Sequence, residues 1–136
     1  MIRYLLDADI VIYTMKNKPV VVREAFEKFH EEIAMSSVSL MELYYGVERS
    51  SDKSRNLKSV EGLAARLSVI DFDVHAATHT GQIRAKLADL GTPIGPYDAM
   101  IAGQARSRGF ILVSNNEKEF KRVDGLRFEN WAVAAS

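Results

Sequence analysis

Five short apolar runs, separated by stretches with helical spacing, leave this chain few folds to choose from. The runs are YLLDA, IAMSS, LSVIDF, FILVS and LRFENW. Between them, apolar residues recur every three or four positions. One stripe is Val22, Ala25, Phe26, Phe29 and Ile33; a second is Leu57, Val60, Leu63, Ala64 and Leu67; a third is Ala76, Thr80, Ile83, Leu87 and Leu90. Pro19 and Pro96 suit the first turn of a helix, and Gly91 and Gly109 suit helix ends. Ser39 starts a further helix that runs toward Ser50. Strands alternating with helices predict an α/β domain: a parallel sheet of about five strands with helices on both faces. No repeat, low-complexity tract or long linker interrupts the pattern, so residues 1–136 read as one domain.

The stretch RYLLDADIVIYTM raises a chemical question. Asp7 and Asp9 stand in a run that is otherwise apolar, and burying an unpaired carboxylate costs several kcal/mol on typical scales. Asp7 falls at the carboxyl end of the first strand. Ser114, Asn115 and Asn116 fall at the end of the fourth. In folds of this class, sites form beyond the carboxyl ends of the strands. If these two strands are neighbours, the residues share a crevice.

Three more acids fall at strand–helix junctions. Glu42 lies in SSVSLMELYYG, where Ser39 and Glu42 have the spacing of a capping box. Its helix also starts right after the second strand, so its first turn overhangs the same edge of the sheet. The flanking Leu40, Met41, Leu43 and Tyr44 predict that much of this helix is covered. Asp98 follows Pro96 in GPYDAMIAGQARSRG, where an acid suits the helix dipole, but the helix behind it is apolar nearly all round. Glu119 lies in SNNEKEF and is chosen over Glu117 because Phe120 would anchor its backbone in the core. Each acid has an ordinary structural explanation. None accounts for Asp7, which has no cationic partner in its own strand. Two carboxylates ~5 Å apart repel by roughly 3 kcal/mol at an effective dielectric near 20. Three or four converging acids need a divalent cation, or some must take up protons. All-oxygen ligands suit Mg2+ or Mn2+ rather than zinc. Such an ion activates water for attack on phosphorus and offsets charge on the phosphate.

Composition narrows the alternatives. There is no cysteine, which excludes disulfides, thiolate metal sites and a Cys nucleophile. Eighteen basic and eighteen acidic residues cancel, so a nucleic-acid partner would have to use a local patch. Arg106, Arg108 and Lys121, in the basic last third, are candidates for phosphate contacts. His75 and His79 have i, i+4 spacing but lack a third metal ligand. Gly91, Gly95 and Pro96 lack the ending of a phosphate-binding loop. Tyr44 and Tyr45 read as core aromatics; Tyr97, next to Asp98, is a candidate for stacking on a base. Trp131 is expected to cover the last strand. No apolar run approaches a membrane span and no signal segment is evident, so the expected location is the cytoplasm, with no membrane partner.

LLDADIVIY, SSVSLMELYYGVERS, GPYDAMIAGQARSRG and LVSNNEKEF…VDGLRFENW occur in the order and approximate spacing of the PIN-domain family. The chain resembles most nearly the VapC-type toxins of bacterial toxin–antitoxin pairs, over nearly its whole length. The resemblance implies a three-layer α/β/α sandwich and an endoribonuclease that depends on Mg2+ or Mn2+. It maps the family's acids onto Asp7, Glu42, Asp98 and, as the fourth, Glu119. Ser114 stands where the family commonly has Thr. Asn116 stands where many members carry an acid, a departure that weakens a second metal site. With Ser114, Asn116 is expected to orient a water on the ion or a phosphate oxygen. Asp9 stands where Asn is frequent, and either adds negative charge or caps the following helix. The resemblance further implies a tRNA substrate, with initiator tRNA cut in the anticodon region as the specific expectation. It also implies a homodimer and a small VapB-like antitoxin that puts an Arg or Lys into the acidic hollow.

Two other readings stay open on the residues alone. LLDAD resembles the D-x-D strand end of haloacid-dehalogenase-like phosphatases, in which Asp7 would be the nucleophile, although no convincing lysine or paired-acid motif follows. The same pocket could also serve a module that binds metal or a partner without catalysis.

Overall fold

The computed structural model describes residues 1–16 and 20–132. Its elements are β1 (Tyr4–Leu6), α1 (Ala8–Lys16), α2 (Val20–Lys28), β2 (Ile33–Ser36), α3 (Ser37–Arg49), α4 (Lys53–Ala64), β3 (Ser68–Ile70), α5 (Val74–Asp89), α6 (Pro96–Arg108), β4 (Ile111–Val113), α7 (Glu117–Phe120) and β5 (Arg127–Glu129). Pro19, expected to open a helix, lies outside the described residues.

The strands form one parallel sheet in the order β3-β2-β1-β4-β5. β1 is central, with Leu6 opposite Met35 of β2 and Val113 of β4. The chain builds outward from β1 through β2 to β3, then returns to the other side of β1 for β4 and β5. That reversal opens a crevice beyond the carboxyl ends of β1 and β4.

Strand alternation sorts the core into two. Tyr4, Leu6, Ile33, Met35 and Val113 face one side, where Ile10, Val11, Val22, Phe26, Val60 and Leu63 from α1, α2 and α4 cover them. Leu5, Ala34 and Leu112 face the other side, under Ile83, Leu87, Ile101, Ala102 and Ala105 from α5 and α6. The result is the three-layer sandwich expected. α3 serves both cores, giving Leu43 and Val47 to the first and Val38 to the second. Trp131 packs against Tyr4 of β1 at 5.2 Å and Phe29 at 5.7 Å, and its Nε1–H donates to Glu129 of β5 at 3.1 Å. Among the described residues no helix is long and apolar enough to cross a membrane.

α3 departs from the sequence reading in two ways. It starts before Ser39, because β2 runs straight into it: the Ser36 hydroxyl accepts the Val38 N–H at 3.0 Å and caps the helix. Ser39 is then fully buried inside the helix, and the Ser39–Glu42 spacing is not a capping box. In addition, only one side of α3 meets the two cores. Met41, Tyr44 and Tyr45 are exposed, not covered.

α6 is seated by a close helix crossing. A Cβ at Gly103 would stand 2.0 Å from Thr80 Oγ1 and 2.7 Å from Thr80 N. Only a residue without a side chain lets α6 come this near α5, and that approach fixes where the first turn of α6, with Asp98, is presented. The left-handed Gly109, at φ 69°, then ends the helix and turns the chain into β4. Gly103→Ala is expected to destabilise the fold by about 3 kcal/mol, measured by urea unfolding. Adding Thr80→Ala should restore little of this, because the backbone nitrogen of residue 80 remains in the way; full recovery would show that the hydroxyl alone sets the contact.

Candidate active site

The pairing of β1 with β4 brings the first two expected residues together. The Asp7 N–H donates to the Val113 carbonyl at 2.9 Å, which carries the strand ladder one residue past β1. The Asp7 carbonyl then accepts from Ile10 and Val11 at 3.1 and 3.2 Å and starts α1. Its buried carboxylate takes the Ala8 N–H on Oδ1 at 2.8 Å and the Ser114 hydroxyl on Oδ2 at 3.0 Å. Ser114 is fully buried, and its Oγ accepts the Asn116 N–H at 3.0 Å. Two neutral donors therefore hold Asp7, and burial still outweighs them and pushes its proton affinity up.

The other acids surround it. Asp9 Oδ1 accepts the Ile10 N–H at 2.7 Å, and its Oδ2 takes the Asn115 N–H at 3.3 Å. Asp9 so caps α1 and adds charge to the hollow. Burial first, then the neighbouring Asp7, raise its pKa from 3.8 to about 6. Glu42, half-buried on α3, is raised by burial and then by Asp7, Asp98 and Asp9. Asp98, in the first turn of α6, is raised from 3.8 to about 6 by burial, then by Asp7 and Glu119. The Asn116 side chain reaches Asp98 Oδ2 at 3.5 Å. Asp7 is thus the charge that Asp9, Glu42 and Asp98 all feel. Peptide N–H and hydroxyl groups oppose these shifts; no cationic side chain figures among their causes.

Glu119 differs in kind. Its Oε2 takes Arg122 Nη2 at 2.6 Å. Glu117 turns elsewhere, to Lys121 at 3.0 Å and Asn130 at 3.3 Å. Phe120, next to Glu119, is buried and holds α7 in the second core.

Among the described residues no three acidic or histidine side chains already close to the spacing of a single ion. The donor set nonetheless suits a hard divalent cation: all the donors are oxygens, several are part-buried, and burial together with neighbouring carboxylates raises the proton affinities of Asp9, Glu42 and Asp98.

Several candidates from the sequence are engaged elsewhere. Arg106 donates to His79 Nδ1 at 2.9 Å, to Gln82 Oε1 at 2.7 Å and to the Asp124 carbonyl at 3.0 Å. It ties α5 to α6 and is not a free phosphate contact, and His79 is its acceptor. Lys121 is paired with Glu117, and Arg108 lies over the Phe110 ring at 5.3 Å. Tyr97 is 52% exposed beside Asp98. The sequence reading missed a groove of about 770 Å³ next to Glu42, floored by Leu43, Val47 and Leu63 and edged by Lys16, Arg55 and Arg66. The signal was present as basic residues on the exposed side of α4, diluted by the balanced total charge.

A family profile for the PIN domain matches residues 4–126. The chain is 55% identical over 132 residues to the tRNA(fMet)-specific endonuclease VapC of Shigella flexneri, covering 97% of this chain and 100% of that protein. The crystal structure of DNA-bound VapBC from Salmonella typhimurium superposes with a TM-score of 0.92 at 53% identity, covering 96% of this chain and 99% of that one. VapBC2 of Rickettsia felis, solved bound to a DNA fragment from its promoter, gives 0.89 at 37% identity, with 96% and 99% covered.

The raised carboxylates carry a stability signature. The folded state keeps protons on Asp98 up to about pH 6, while the unfolded chain loses them near 3.8. That stabilisation is complete below pH 4 and is lost as the pH rises through 6. In chelator, Asp98→Asn should match wild type below pH 4 and become the more stable by about 1 kcal/mol at pH 7, after allowance for solvent screening of a half-exposed group. Urea unfolding across this range checks it; a pH-independent difference would mean that Asp98 does not feel its neighbours.

Proposed function

The chain belongs to the PIN domain family, and on that premise we propose that it is a divalent-metal-dependent endoribonuclease toxin, held in check by a small VapB-like antitoxin. The observation that carries this reading is the coupling of Asp9, Glu42 and Asp98 to Asp7 over the β1–β4 crevice. Four part-buried acids with unneutralised charge are costly to keep unless they hold a cation. Their position at the reversal of strand order is where α/β folds bind ligands.

Asp7, Glu42 and Asp98 would hold the ion, and Glu119 would assist from α7, directly or through a water. When bound, Mg2+ or Mn2+ lowers the pKa of water for in-line attack and offsets charge on the phosphate and the leaving oxygen. The protein's own groups do the positioning. Ser114 donates to Asp7 Oδ2 and leaves Oδ1 with the Ala8 N–H, which fixes the plane of the carboxylate. Asn116 reaches Asp98 from its own loop and orients water or a phosphate oxygen. Hydrolysis by water leaves 5′-phosphate and 3′-hydroxyl ends.

The substrate is a tRNA, with initiator tRNA cut in the anticodon region as the specific assignment. Support comes from full-length similarity to a relative named for tRNA(fMet). Lys16, Arg55 and Arg66 on the rim of the groove beside Glu42 give the RNA backbone positive footing although the whole chain is neutral. An antitoxin segment lying in that groove and placing a cation among the acids would exclude both ion and RNA. The solved relatives named as VapBC and VapBC2 support such a partner. The chain works in the cytoplasm as a homodimer, for which Met41, Tyr44 and Tyr45 on the open side of α3 offer apolar surface.

Purified protein incubated with initiator tRNA and Mg2+ should give one discrete cut. Chelator, or Asp98→Asn, should each slow it by at least about a hundredfold. Cleavage that survives both would overturn the proposal.

A further inference from the structure

The amino edge of the sheet, opposite the acidic crevice, carries a charged hollow of its own. The β1–β4 ladder that ends at Asp7 and Val113 begins at Arg3, whose carbonyl accepts the Ile111 N–H at 2.8 Å. Arg127 opens β5 opposite Ile111, and Arg108 closes α6 just before β4. Three neighbouring strands so bring three arginines to one place. Among the described residues, these arginines line a hollow of about 430 Å³ with Gly109, Phe110 and Ile111, and no acid lines it. In a chain whose total charge is zero, this is a local surplus.

The contacts of Arg108 and Arg127 leave donors for a ligand. Arg108 lies over the Phe110 ring at 5.3 Å, a contact through the guanidinium face that leaves its edge N–H groups open. Arg127 Nη2 donates to the Gly109 carbonyl, which caps α6 and spends one N–H of its fork. Among the described residues no carboxylate stands within ion-pair distance of either. Arg3 differs: its Nη1 pairs with Glu32 at 2.9 Å, so the surplus belongs to the other two. Capping explains where Arg127 sits. It does not explain a second guanidinium on the same hollow without a counter-charge.

We propose that this hollow is a second RNA contact, in which Arg108 and Arg127 grip a backbone phosphate of the substrate away from the cut. The inference rests on the ribonuclease reading of the crevice. A guanidinium fork matches phosphate oxygens in pairs. The acids of the crevice repel the strand to be cut, so affinity has to come from basic surface elsewhere. β1 and β4, which join the two edges, are each three residues long, roughly 10 Å of strand, a short step for a folded RNA. Neither arginine reaches the reacting phosphate; both serve binding.

The test measures binding without cutting. The full chain carrying Asp98→Asn is titrated onto fluorescent tRNA in Mg2+ at a series of salt concentrations. Adding Arg108→Gln and Arg127→Gln together should weaken binding at least about tenfold at low salt, and lower the slope of log affinity against log salt by about one per arginine. Arg127→Lys, which keeps the charge, should keep the slope. Arg108→Glu, which leaves the cap of α6 alone, should weaken binding further than Arg108→Gln, so the outcome does not hang on a variant that disturbs folding. An unchanged slope in both the double variant and Arg108→Glu overturns this inference alone. So does adenosine triphosphate that binds wild type but not the double variant while tRNA affinity stays the same, which would give the hollow to a free nucleotide. No tRNA binding at any salt also overturns it; if wild type then leaves tRNA uncut, the ribonuclease reading falls with it.

Discussion

The pairing of β1 with β4 is the constraint on which the site depends. Because β4 returns to the open side of the central strand, Val113 can accept the Asp7 N–H and Ser114 can donate its hydroxyl to the Asp7 carboxylate. The same bond that ends the sheet also aims the acid. A slip of one residue in that register would turn Asp7 to the opposite face and bury it in a core with no donor. Fold and site are in this sense a single hydrogen-bonding decision made at one edge.

Around that edge the fold holds a charge imbalance rather than resolving it. Asp7 is tied by neutral donors, Asp9 by two peptide N–H groups, and Glu42 is pressed by three neighbours. Only Glu119 has a resident cation. Burial is the first reason for the raised proton affinities, and neighbouring carboxylates add to it for Asp9, Glu42 and Asp98; a divalent ion or a basic side chain from a partner would find that same gathering of acids attractive. Ligand binding and relief of repulsion are then the same event.

Much of this was legible in the chain. The short apolar runs announced a covered parallel sheet, and Asp7 at the end of the first of them marked the crevice beyond the strand ends before any pairing was known. Ser114 was readable from its place at the end of the fourth strand, which meets Asp7 once that strand lies beside the first. Other features depend on three-dimensional arrangement and were not. Ser36, not Ser39, caps α3, because β2 enters the helix without a loop. Arg106 read as a free basic residue, yet the crossing of α5 and α6 puts His79, Gln82 and Asp124 within its reach. Tyr44 and Tyr45 carry helical spacing that suggests core, but α3 sits at the boundary of the two cores and turns them outward. Periodicity says which residues share a face; it does not say which face is covered.

The near-contact of Gly103 with Thr80 has a consequence for regulation. Two helices locked backbone to backbone form a stiff pair, and Asp98 rides at one end of it. A stiff mount gives a partner little leverage for bending the acid out of line. Inhibition by distortion would have to break the close crossing of α5 and α6 at Gly103 and Thr80, while inhibition by occlusion costs only the desolvation of the hollow. The architecture favours a plug over a lever, and it lets the site regain working geometry the moment the plug is withdrawn.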